Sequence, residues 1–176
     1  MSPLRALAPL LILTGALGVG CGLVTLLPAP AGAQEGLDGT WQYAGDEAER
    51  AGRLRSIERA TAGLNRFAQG RVRGRLQERT EPRPFRLTVR GDEMELSSEG
   101  RTVRLQIGGP AVTVEGGRVE ARRQGGNLVV VSRGENGTQT TFYQLWDEGR
   151  RLTLRVSLSS GRLSAPVIYS ATYRRG

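Results

Sequence analysis

The chain has 176 residues and 25 basic side chains, all of them arginine, set against 17 acids for a formal charge of +8. That length suits one domain with a single core once any targeting segment is removed. Histidine is absent and the one cysteine is Cys21, which excludes Ser-His-Asp and Cys-His nucleophile systems, imidazole or thiolate zinc sites and internal disulfides.

Targeting comes first along the chain. Met1-Ser2-Pro3-Leu4-Arg5 is a short, positively charged start, and ALAPLLILTGALGVGCGLVTLL continues it as 22 uncharged residues. Pro28-Ala29-Pro30 interrupts that run, and Ala31-Gly32-Ala33 supplies the small-x-small pattern of a cleavage site. Residues 1–33 therefore read as a signal peptide, with Gln34 as the expected mature N-terminus. Two other fates stay open: a lipid anchor on Cys21, which Gly18 three positions earlier suits poorly, and retention of a run long enough to span a bilayer. Each version predicts that residues 34–176 are secreted, periplasmic or held at the cell envelope, and removes nucleic acid from the expected partners of the arginines.

Gly39-Thr40-Trp41 then opens a first strand. From 46 to 79 the composition shifts to Ala, Arg, Glu and Leu, and Ala51, Leu54, Ile57, Thr61, Leu64, Ala68, Val72 and Leu76 recur three and four residues apart. That spacing predicts helix with one apolar stripe, and Asp46, Glu47 and Glu49 place negative charge at its start. An unbroken helix would be about 50 Å long, too long for this domain, so a bend or a break is expected near Gly63 or Gly70.

Beyond Glu81-Pro82-Arg83-Pro84 the period becomes two. Phe85, Leu87 and Val89, then Met94 and Leu96, then Val103, Leu105 and Ile107 alternate with polar residues, as later do Leu152, Leu154, Val156 and Leu158, and Val167, Tyr169, Ala171 and Tyr173. Turn signals divide these runs at Gly91-Asp92, Glu99-Gly100, Gly116-Gly117, Gly125-Gly126 and Glu148-Gly149. Asn136-Gly137 between NLVVVSR and TQTTFYQLW reads as a type I′ hairpin. The expected fold is mainly β: an antiparallel up-and-down β-barrel of about 8–10 strands, with a helical segment inserted after strand one. A two-sheet sandwich is the other way to bury one-faced strands. Short strands and few aromatics disfavour a membrane-spanning barrel.

A Gly-x-Trp on strand one, helix directly after it, a long meander, and a final strand ending Ala171-Thr172-Tyr173-Arg174 together resemble the calycin superfamily. LTVRGDEMEL (87–96), GGNLVVV (125–131) and GTQTTFYQLWDEGRRLTLRV (137–156) match its hairpins. Fatty-acid-binding proteins are nearer in element order, lipocalins in being secreted. The resemblance implies that Trp41 closes one end of the barrel and meets an arginine of the last strand, Arg174 or Arg175. It also implies that a ligand carboxylate would be held by an Arg-x-Tyr on the last strand and by an Arg or Gln two strands earlier. Tyr173 and Gln144 fit those places, while Ala171 stands where the arginine belongs.

A barrel of this size can be filled by side chains or can enclose one small apolar ligand. For a cavity the expected lining is Phe85, Leu87, Met94, Leu105, Phe142, Tyr169 and Tyr173, with Gln144 as the polar handle. A second candidate is the arginine face of the helical segment, Arg66, Arg71, Arg73 and Arg75, for which lipid headgroups or anionic polysaccharide are the expected partners. The bland reading is a solvated face. Glu93, Glu95, Glu115 and Glu120 all fall on wet faces, so no carboxylate pair can be placed for acid–base work. The expected class is a monomeric, non-enzymatic binder of a lipid or other apolar small molecule, without cofactor or metal; the alternative is an envelope module docking anionic surfaces.

Overall fold

A computed structural model describes residues 36–176, so the signal peptide and the processing alternatives at Gln34 and Cys21 lie outside the described residues. The described chain runs β1 (Gly39–Tyr43), α1 (Glu47–Thr61), α2 (Arg66–Thr80), β2 (Phe85–Arg90), β3 (Glu93–Ser98), β4 (Arg101–Gln106), β5 (Val112–Val114), β6 (Gly117–Gln124), β7 (Asn127–Gly134), β8 (Gly137–Trp146), β9 (Arg151–Ser159) and β10 (Val167–Arg175). Ten antiparallel strands form one sheet in the order β4-β3-β2-β1-β10-β9-β8-β7-β6-β5. This is the expected barrel, nearly closed, with helices inserted after strand one.

The seam lies between β4 and β5, which are the two edges of the sheet. At one end it is stitched by a bridge between Ile107 and Ala121, with the Gly108 amide donating to the Ala121 carbonyl at 2.8 Å. Arg123 adds a second stitch, donating to the Gly91 carbonyl at 2.8 Å. At the other end a solvated pair, Arg101 with Glu115 at 3.6 Å, crosses the gap.

The helical segment breaks at residues 62–65, at the first of the two expected glycines. Asn65 caps α2 by accepting from the Ala68 amide at 2.8 Å, as Asp46 caps α1 through the Glu49 amide at 2.9 Å. Ser164, in the β9–β10 loop, donates its amide to the Ala60 carbonyl at 3.0 Å, satisfying the end of α1. Gly63 sits beside it, where a Cβ would stand 3.1 Å from the Ser164 Cβ.

β1 is five residues long and covers only the last part of β10, from Tyr173 to Arg175. The rest of that edge is covered by α1: Ser56 accepts the Ile168 amide at 2.8 Å, and the Glu49 carboxylate accepts the Thr172 amide at 2.9 Å. This explains why the buried side of α1 includes Arg53, Ser56 and Thr61 as well as Ile57 and Ala60. A helix laid along a strand edge supplies side-chain acceptors to backbone donors that would otherwise be orphaned.

The hairpin at 134–137 is displaced by one residue from its expectation. Gly134 pairs with Gly137, so Glu135 and Asn136 are the turn and Gly137 is the first residue of β8. Gly137 is needed for another reason. Its φ is +121°, and a Cβ would meet the Ser159 carbonyl oxygen at 2.0 Å. Gly137→Ala is therefore expected to lower the stability by about 1–3 kcal/mol. Gly70→Ala and Gly74→Ala, on α2 with nothing within 4 Å, are each expected to stabilise the helix by about 0.4–1 kcal/mol. Urea midpoints of the three variants check both signs.

Candidate functional site

The barrel has two ends with different contents. At the first, Leu37, Trp41, Leu87, Met94, Leu105, Ile107 and Ala121 pack with Leu128 and Leu152 into a filled core. Trp41 is fully buried, donates its Nε1–H to the Leu37 carbonyl at 3.0 Å, and is covered by the Arg175 guanidinium 5.3 Å from its ring centroid. Cross-strand pairing decides which arginine takes that place. Trp41 is opposite Arg175, while Arg174 is opposite Gln42 and points the other way. The arginine at the closure is thus Arg175, a correction to Arg174.

At the second end the walls part and leave a cavity of about 600 Å³. Its apolar wall is made by Phe85, Leu96, Leu154, Val156 and Ala171, and its polar groups are Gln139, Thr141, Tyr143, Tyr169 and Tyr173. Phe85 anchors the aromatic side, edge-on to Tyr173 with centroids 5.0 Å apart and to Tyr143 at 6.3 Å. The rim is charged: Arg75, Glu78 and Arg79 from α2, Glu81 and Arg83 from the linker, and Glu99 from the β3–β4 turn. Arg83 is spent on a salt bridge to Glu99. Between rim and barrel a second, smaller core of Ile57, Ala60, Leu76, Leu158 and Val167 seats the helices over the opening.

The structure divides the expected lining residues. Phe85, Tyr169 and Tyr173 line the cavity. Leu87, Met94 and Leu105 face the barrel interior but belong to the filled end. Phe142 and Gln144 do not face inward. On β8 the inward positions are Gln139, Thr141, Tyr143 and Leu145, because Tyr143 lies opposite Leu128 and Leu154, whereas Phe142 lies opposite Val129 and Arg155. Residues directly opposite one another share a face, so Thr141 and Tyr143 take the place expected for Gln144. Ala171 lines the cavity where the resemblance would put an arginine, and among the described residues the cations that line it, Arg75, Arg79 and Arg83, stand at its rim.

The arginines of α2 are likewise sorted. Arg66, Arg71 and Arg75 are exposed. Arg73 turns inward and donates its Nε–H to Thr61 Oγ1 at 3.0 Å, so it ties α2 to α1 and is withdrawn from the outer face. One feature of that face had no signal in the apolar stripe: Phe67 is 96% exposed, one turn before Arg71. Among the described residues no group of three or more Asp, Glu, His or Cys is placed to hold a metal ion.

Burial sets the electrostatics of the cavity. It pushes the Tyr169 phenol up to about 12 and raises Tyr143 and Tyr173 further, although the Arg83 backbone amide partly offsets this at Tyr173. Each folded-state value lies above the unfolded one near 10, so above pH ~10 the unfolded chain releases protons that the native state keeps. The contribution of these tyrosines is complete below that pH and falls away as the pH rises toward about 12. Urea midpoints should therefore decline through that range, and a flat profile would contradict the burial of the phenols.

No protein-family model matches the chain, and no characterised protein matches it by sequence. Solved structures do resemble it. A mutant of the fluorescent protein UnaG is 16% identical, with 81% of this chain and 97% of that one covered at a TM-score of 0.50. Fatty-acid-binding protein 1 of Echinococcus granulosus is 15% identical, covering 80% and 98% at 0.49. A Schistosoma mansoni fatty-acid-binding protein in complex with arachidonic acid is 13% identical, covering 82% and 99% at 0.45. At these identities the likeness speaks to the fold alone, a nearly closed antiparallel barrel of ten strands with two helices inserted after strand one.

Proposed function

We propose that this protein is a non-catalytic, exported carrier that holds one apolar or lipid-like small molecule in the barrel, beneath α2. The observation that carries the reading is the cavity itself. Its volume of about 600 Å³ falls within the ~300–1,000 Å³ usual for small-molecule sites, and its mix of apolar wall and a few convergent polar groups is the usual composition of such sites. Structural neighbours named as fatty-acid-binding proteins support the same direction. Export is supported by residues 1–33 alone. Native mass spectrometry of the protein from its source, followed by organic extraction, is expected to release a stoichiometric apolar molecule. A protein that arrives clean and takes up no apolar dye would refute the carrier reading.

A second reading is favoured by Phe67. An almost wholly exposed aromatic ring beside Arg66 and Arg71, on a helix with little buried surface, is the composition of an interfacial anchor. Docking of α2 on an anionic surface would bring the cavity mouth to the membrane or polysaccharide. Vesicles containing anionic lipid are expected to bind the wild-type protein at low salt. Binding should fall about tenfold or more when Arg66, Arg71 and Arg75 become glutamine together, and should weaken with salt. Equal binding to neutral vesicles would count against it.

A further inference from the structure

We propose that the molecule held in the barrel is an uncharged amphiphile, a lipid with a hydroxyl or primary-amide head, bound head-inward against Thr141 and Tyr143. This rests on the carrier reading and specifies its ligand.

The first ground is an unanswered hydrogen bond. Tyr143 is 6% exposed and lines the cavity, yet its phenol makes no hydrogen bond to any described residue. A buried hydroxyl left without a partner is unfavourable and calls for an explanation. Thr141, equally buried, accepts from the Gln139 amide at 3.4 Å and keeps its own proton unassigned. Gln139, Thr141 and Tyr143 occupy successive inward positions of β8, so they form a polar ladder about 7 Å per step up one side of a cavity whose other polar groups are the phenols of Tyr169 and Tyr173.

The second ground is charge. A carboxylate brought to that ladder would find no cation beside it: the neighbouring strands set Leu154 next to Tyr143 and Val156 next to Thr141, with Ala171, Tyr169 and Tyr173 beyond them. An isolated buried carboxylate is strongly disfavoured and would take up a proton instead. The rim arginines are interleaved with Glu78, Glu81 and Glu99, so the mouth offers no net cationic seat either. The third ground is valence. Threonine and tyrosine hydroxyls each donate and accept, as do alcohols and primary amides, so both partners can be satisfied at once. A ligand seated the other way round, with its head at Arg75 and Arg79, would leave both hydroxyls facing hydrocarbon.

The test is competition against a bound apolar fluorescent dye by a long-chain primary alcohol, the primary amide and the carboxylate of equal chain length, at pH 8 on the delipidated mature protein. The alcohol and amide are expected to bind about tenfold tighter than the carboxylate, a difference of about 1.4 kcal/mol. The Thr141→Val/Tyr143→Phe double variant should erase that preference, each competitor being scored against the variant's own dye affinity, and its circular dichroism spectrum and urea midpoint report that the fold is retained. Ala171→Arg should reverse the preference. A carboxylate that binds as well as the alcohol in the wild-type protein, or a preference that survives the double variant, would overturn the proposal. Failure of the dye itself to bind would overturn the carrier reading and this proposal together.

Discussion

Trp41→Ala is expected to cost about 3–5 kcal/mol of stability and to lower the melting temperature by roughly 6–20 °C. The side chain is fully buried and touches the filled end of the barrel, where Leu37 and Leu87 are also almost wholly inaccessible. Truncation opens a cavity that the strand framework cannot collapse into, because β1 is hydrogen-bonded to β2 on one side and β10 on the other. It also orphans the Leu37 carbonyl and removes the surface beneath the Arg175 guanidinium. Trp41→Phe separates these effects: it keeps most of the apolar volume and loses the Nε1–H, so it should cost about 1–3 kcal/mol. Thermal and urea unfolding of the two variants check the ranking. Equal, small shifts would mean that the barrel does not depend on this end being filled. Cavity occupancy is expected to change little in Trp41→Phe, since the cavity is walled by other residues.

Much of this architecture was legible in the chain because periodicity carries it. The alternation from Phe85 onward, the glycine-marked turns and the helical spacing between strand one and the linker specified a barrel with inserted helices, and the break in the helix fell at Gly63. What was not legible is more instructive. β7 contains Leu128, Val129, Val130 and Val131 in an unbroken run, all of them buried. Such a run has no alternation and cannot say which parity faces inward. β8 then sets Phe142 beside Tyr143, so an aromatic sits on either face. A usable signal did exist. β9 alternates cleanly, and taking Glu148-Gly149 as the turn pairs Trp146 with Arg151, which puts Tyr143 opposite Leu154 and Phe142 opposite Arg155, the register observed. Parity borrowed from the well-patterned strand resolves its ambiguous neighbour.

The hairpin at 134–137 illustrates a different limit. Moving the turn from Asn136-Gly137 to Glu135-Asn136 slides the β7–β8 register by two residues and leaves every side chain on its own face. The reason for Gly137 is the close passage of the Ser159 carbonyl, at the far end of the neighbouring strand β9 and outside the local turn pattern. The polar side of α1 was hidden for the same kind of reason. Ser56 and Glu49 look like solvated helix residues until the shortness of β1 leaves donors of β10 uncovered.

Leu76→Ala is expected to release α2 from the barrel mouth without unfolding the barrel. Leu76 and Thr80 are the only buried residues of that helix, and Val72 is half-buried. Truncating a buried leucine typically costs about 2–5 kcal/mol. Little else on α2 can absorb that loss. Its remaining ties are polar: Arg53 donates to the Gln77 carbonyl and to Thr80 Oγ1, both at 3.2 Å, and Arg73 and Gln69 reach Thr61. Gly70 and Gly74 weaken the helix further, each by about 1 kcal/mol relative to alanine. The strands have no such dependence, since each of β7 to β9 is hydrogen-bonded on both sides along most of its length. Hydrogen exchange should therefore accelerate across 66–80 in the variant while β7 to β9 keep their protection. The helix forms part of the cavity rim, so release and uptake of a bound apolar dye should both quicken by about tenfold or more, with the dissociation constant changed far less. Uniform acceleration of exchange in helix and strands would show instead that α2 and the barrel unfold as one unit, and that the mouth opens only when the fold is lost.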